Sequence, residues 1–155
     1  MNDIKLSQLA LDTNLKPVPI KGKPVTQEQY YKATFSPAFP YIENFQPNQF
    51  LYQSFTKETM SIIGRYHVGD VFYQIGFVLP YNFQTKIYDI EDWGDGKVSS
   101  NVVANGAISA GKNGKIDITR EGKTVRASFH FEIDRGGVVY EVQNGKFSLV
   151  ETGGL

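Results

Sequence analysis

The chain has 155 residues, with 16 basic and 16 acidic side chains, two histidines and no cysteine. That length suits one domain with a core that needs no staples, and the cancelled charge removes the nucleic-acid backbone and an anionic membrane surface as obvious partners. The missing cysteine excludes disulfides, thiolate nucleophiles and cysteine metal sites, and the apolar cluster Ile4, Leu6, Leu9, Ala10 and Leu11 is too short and interrupted for a membrane span or a secretory leader.

In chain order, Lys16-Pro17-Val18-Pro19 and Lys23-Pro24 favour extended backbone, because proline fixes its own φ and biases the residue before it away from helix. Residues 1–24 are therefore expected to form an extended arm, and 25–155 a single all-β domain. Thr26-Gln27-Glu28-Gln29 has the spacing of a capping box, while Tyr30 and Tyr31 suit a strand, so helix and strand both stay open there. Six of the seven prolines lie between Pro17 and Pro47, among a dense set of aromatics that runs to Phe55. This stretch has two readings. It seals an open edge or second face of the fold, or it is a ligand or partner surface built from Tyr30, Tyr31, Phe35, Phe39, Tyr41 and Phe45, with Trp93 further on.

From Thr59 the pattern is β. Val71 to Leu79 is apolar on both faces until Pro80 stops it, which marks a central strand, one face on the core and the other covered by the preceding aromatic segment. Phe83 to Ile90 and Val98 to Ala104 read as strands, separated by the turn Asp92-Trp93-Gly94-Asp95-Gly96. From Gly114 to Glu151 apolar and polar residues alternate, and Glu121-Gly122, Arg135-Gly136 and Asn144-Gly145 suit two-residue hairpin turns. Those turns set Ile118 against Val125, Phe131 against Tyr140 and Val142 against Phe147, a four-stranded antiparallel meander. Seven to nine strands in all, without a long helix or a βαβ rhythm, predict an antiparallel β-sandwich, with a partly closed β-barrel as the alternative.

The run Ile75 to Pro80, the Tyr88 region, Gly114-Lys115-Ile116-Asp117-Ile118-Thr119, Ala127-Ser128-Phe129-His130-Phe131 and Val138 to Phe147 together resemble a family of small bacterial secreted or lipoprotein domains of unknown function. Its members share a G-x-I-x-I-T strand, a G-x-F-x-F strand and a terminal x-N-G-x-F hairpin. The resemblance covers about residues 60–150; Ala127 stands where glycine is usual, and no lipobox cysteine is present. It implies an all-β protein, exported or in the bacterial envelope, and supplies no catalytic residues.

Motifs that carry chemistry are few. Gly106 to Asn113 approaches a phosphate-binding loop, but Asn113 replaces the required hydroxyl and a β pattern follows. Around Ser109 the spacing misses a nucleophile elbow by one residue. The meander register brings His130 opposite Glu141, with Glu132 diagonal, as candidate catalytic residues of a hydrolase; a flat, solvated sheet face is the commoner use of such residues. Asp89, Glu91, Asp92 and Asp95 surround Trp93 and could offer oxygen ligands to a metal such as calcium, at no EF-hand spacing. Trp93 with Tyr88 and Tyr81 could stack on a sugar ring. The expected role is a non-enzymatic binding or protein-interaction domain without a cofactor, whose partner is a protein or a small apolar or sugar ligand. Its alternatives are a site for an apolar ligand held between the aromatic segment and Val71 to Leu79, and the hydrolase.

Overall fold

The computed structural model describes residues 6–18, 29–39, 42–94, 96–104 and 106–152, with backbone alone at 38, 39, 42 and 43. Alternation sets the architecture. Apart from one turn of 3-10 helix at Leu6–Leu9, the regular elements among these residues are strands: β1 Tyr30–Phe39, β2 Ile42–Phe45, β3 Gln49–Gln53, β4 Thr59–Val68, β5 Val71–Pro80, β6 Lys86–Ile90, β7 Ser99–Ala104, β8 Ala107–Ala110, β9 Lys112–Glu121, β10 Thr124–Arg135 and β11 Val138–Val150. They form two antiparallel sheets, in the orders β2-β1-β11-β10-β9-β6 and β3-β4-β5-β7-β8. The protein is an all-β sandwich and not a closed barrel.

The core lies between the sheets. Ile75, Phe77 and Leu79 on β5 face Ile116, Ile118, Val125, Phe129, Phe131, Val142 and Phe147 of the other sheet, all buried. Phe77 meets Phe129 edge-on at 4.8 Å, and Tyr31 stacks on Phe147 at 5.2 Å; such pairs add about 0.5–1.5 kcal/mol each beyond the area they bury. Tyr31, Phe35 and Phe45 are thus core residues, and the Tyr31 hydroxyl donates to the carbonyl of Ile75 at 3.0 Å. Tyr30 points outward and is exposed. Tyr41 and the side chain of Phe39 lie outside the described residues.

The aromatic segment does not cover the second face of β5, contrary to the sequence expectation. Leu9, Leu11, Val78 and Val103 form a separate buried cluster there, so the cover is the N-terminal segment. Nor is that segment simply extended. It turns through the 3-10 helix and closes on itself through the bridge Leu11 to Pro17, with Asp12 Oδ1 accepting the amides of Asn14 and Lys16 at 2.8 and 3.0 Å.

The C-terminal meander differs from the expected one in strand number. Thr124 faces Glu121 and Arg135 faces Val138, so each turn lies one residue later than the dipeptides suggested. The later turns use Gly122, Gly136 and Gly137, all at positive φ. A shift of this size keeps every side chain on its face, since both partners move together. Ile118 faces Ala127, and Phe131 faces Val142. At Asn144-Gly145 the chain does not reverse: β11 runs on, the register slips between Phe129 and Phe131, and Asn144 sits at φ 53°. The buried positions change parity here, from Val142 to Phe147 and Leu149, and a one-residue bulge changes parity just as a turn would. The meander has three strands, and β1 takes the place beside β11.

Candidate binding groove on the six-stranded sheet

Asparagine at positive φ costs little for a non-glycine residue, because its short amide bonds locally. Two such residues interrupt the six-stranded sheet, Asn113 at φ 52° on β9 and Asn144 at φ 53° on β11. Both mark register shifts against β10, one between His130 and Glu132, the other between Phe129 and Phe131. The bulges therefore flank the same point of β10, at His130. Each is followed by a glycine for which no other residue fits. A Cβ on Gly114 would lie 2.1 Å from the carbonyl oxygen of His130, and one on Gly145 would lie 2.3 Å from the Phe129 ring.

Bulges bend a strand and increase its twist. Here the outer face, expected to be flat, holds a groove of about 670 Å³. Its polar lining includes Asp117, Ser128, His130, Glu132, Glu141 and Lys146. Ser128 faces Asp117 on one side and Lys146 on the other, which sets opposite charges on the two strands flanking β10, about 10 Å apart at ordinary strand spacing. Ile87, exposed on β6, also lines the groove.

His130 is exposed; it faces Lys115 on β9 and the bulge of Gln143 and Asn144 on β11, not Glu141. Glu132 faces Glu141 directly rather than diagonally. Asn113 Nδ2 donates to Glu132 Oε1 at 3.1 Å, and Gln143 Nε2 donates to Glu141 Oε2 at 2.8 Å. Lys115 Nζ pairs with Asp89 Oδ1 at 2.5 Å. Lys112 pairs with Asp134, and that bond raises the pKa of its ammonium. The face is thus a lattice of bonded polar groups.

The acidic residues near Trp93 do not converge. Asp89 belongs to the pair with Lys115, the amide of Glu91 donates to Val98, and Asp95 lies outside the described residues. Among the described residues no three His, Asp or Glu side chains are placed to share a metal ion; Asp92 joins no such group. Trp93 is half-buried against the Leu9 cluster, whereas Tyr88 packs on the main core and its hydroxyl accepts the amide of Gln84. The segment compared with a phosphate loop is strand β8 and the start of β9.

Sequence reasoning placed His130, Glu132, Glu141 and Asp117 on one face, with Asp117 opposite Arg126 where the structure has it opposite Ser128, but missed Asn113, Asn144 and Lys146. The available signal was the repeated Asn-Gly dipeptide on either side of Phe129-His130-Phe131. No helix among the described residues is long and apolar enough to cross a membrane. Comparison with family models, with curated proteins and with solved structures gives no match.

Proposed function

We propose that the protein is a non-enzymatic binding domain, and that the groove at His130 receives a polar partner carrying hydrogen-bonding groups and both signs of charge. The observation behind this reading is the placement of two asparagine bulges at one level of the sheet, where they turn a flat face into a groove. Bulges recur beside functional sites, where they redirect side chains. Binding fits better than catalysis, because both candidate carboxylates already accept amide donors and His130 faces a lysine rather than an orienting carboxylate. An apolar ligand between the sheets is less favoured, since Phe129, Phe131 and Phe147 pack around Phe77 in that space.

The test is native mass spectrometry of protein gently isolated from its own host, for the wild type and for a His130→Ala, Lys146→Ala variant. Added mass on the wild type that the folded variant lacks is expected. A bare wild-type monomer, or the same added mass on both, would sink the reading.

A further inference from the structure

The outer face of the five-stranded sheet carries a second organised set of polar side chains, independent of the groove. Ser61 Oγ donates to the carbonyl of Gln8 at 2.5 Å, and Gln74 Nε2 donates to that of Leu9 at 2.8 Å. The guanidinium of Arg65 donates through Nη2 to Ala10 at 2.7 Å, through Nη1 to Val18 at 2.6 Å and through Nε to Gln74 Oε1 at 2.9 Å. Ser61, Arg65 and Gln74 are all buried. Four bonds thus run from sheet side chains to main-chain carbonyls of the N-terminal segment, which is how a site holds a peptide by its backbone path. Selectivity comes from Leu9, fully buried over Gly76, where a Cβ would stand 3.2 Å from Leu9 Cδ2.

The segment satisfies its own amides. Those of Ala10, Leu11, Asp12, Leu15 and Val18 donate to Ser7, Leu6, Lys16, Asp12 and Ala10 respectively. Among the described residues no strand ladder ties it to the sheet, so it sits there as a self-contained hook. The fit is also incomplete. Gln8 Oε1 and, on β7, Ser99 Oγ and Asn101 Oδ1 are buried without a hydrogen-bond partner among the described residues, and buried unpaired polar atoms weaken the docked state.

We infer that the outer face of β4, β5 and β7 is a peptide-binding site, filled in this chain by its own residues 6–18, and that the same segment of a second copy can enter it in trans. The probe is a dye-labelled peptide of residues 6–18, titrated by fluorescence anisotropy into full-length wild type and into a Leu9→Asp, Leu11→Asp variant. Removing the competing tethered hook is expected to tighten apparent binding by about 10-fold or more. A variant that keeps its β spectrum and cooperative melt yet does not bind overturns the proposal, as does equal binding of a scrambled peptide. Hydrogen exchange on the wild type gives an independent reading. The amides of Ala10, Leu11 and Val18 are expected to exchange at least ~100-fold faster than those of β4 and β5; equal protection would mean that the hook opens only with the whole fold, and the proposal fails.

Discussion

Asn113 and Asn144 are counterparts across β10: each stands at a left-handed φ on a flanking strand, and each is followed by a glycine against which a β10 aromatic packs, Phe131 at Gly114 and Phe129 at Gly145. The pairing ties the shape of the outer groove to the packing of the core. A side chain at Gly145 would push on the Phe129 ring of the sandwich interior, and one at Gly114 on the β10 main chain at His130 and Phe131.

Gly145→Ala is expected to cost about 2–3 kcal/mol, because its Cβ would stand 2.3 Å from the Phe129 ring. For a chain of this size that lowers the melting temperature by roughly 4–12 °C. Asn144→Gly, which needs no Cβ at positive φ, stays within about 0.5 kcal/mol, and Asn144→Val loses about 1–2 kcal/mol. Thermal melts of the three variants check the order.

Alkaline stability depends on Tyr31, whose pKa burial raises well above the ordinary tyrosine value. The unfolded chain releases this proton first, so stability is intact below about pH 10 and falls as pH rises further, by up to about 1.4 kcal/mol per pH unit for one proton. Arg65, pulled by burial down to about 10, gives the opposite slope over the same window, because from about pH 10 upward the unfolded chain holds the guanidinium proton that the folded one has begun to release. The Tyr31 share is therefore read as the difference between wild type and Tyr31→Phe in urea unfolding from pH 8 to 11. Tyr31→Phe should flatten the fall while losing about 1 kcal/mol near neutrality with its bond to Ile75.

Arg135 joins the sheets at the end of the sandwich where β10 turns into β11. It donates through Nη1 to Ala104 at 2.7 Å, through Nη2 to Ala107 at 2.9 Å and through Nε to Ser109 Oγ at 3.0 Å. Arg135→Ala is expected to destabilise by about 1–3 kcal/mol, and Arg135→Lys to recover less than half of that loss, since an ammonium lacks the planar fork. Denaturant midpoints measure both.

The charges of the groove face should matter little to folding. Lys115 and Asp89 pair at 2.5 Å, but both side chains are more than half exposed, so Lys115→Ala shifts stability by at most about 0.5 kcal/mol. A melt moved by much more would mean that this face is buried against something in the isolated protein.

Strand positions were legible where alternation was strict, as in β9 and β10, because one buried face leaves a period-2 record in the chain; β5 was legible as an apolar run stopped by Pro80. Asn144-Gly145 shows the limit. The dipeptide that favours a two-residue turn also favours a left-handed bulge, and the parity change it produces is the same in both. Only the neighbouring strand decides, and β1, which lies beside β11, is more than a hundred residues distant in sequence. The cover on β5 was hidden for a related reason. Leu9 and Leu11 give no periodic signal, and Arg65, with its charge, does not announce a buried anchor for carbonyl groups. His130, Glu132 and Glu141 were legible as one face, but the groove between them depends on bulges that the alternation pattern does not display.

In the six-stranded sheet, the last strand, β11, lies between β1 and β10, with Tyr30 facing Ser148. During synthesis, β3, β4 and β5 can pair in the order they emerge, and β1 can pair with β2, but its other edge must wait for nearly all of the described residues before β11 exists. Tyr31 and Phe35 are left without Phe147 and Val142, which face them on β11, for that interval. Such long-range closure places folding in the slow, millisecond-to-second class of β proteins. A chain halted before Val138 would carry those rings uncovered, which makes translation arrest and truncation, more than heat, the circumstances in which this protein is most exposed to aggregation.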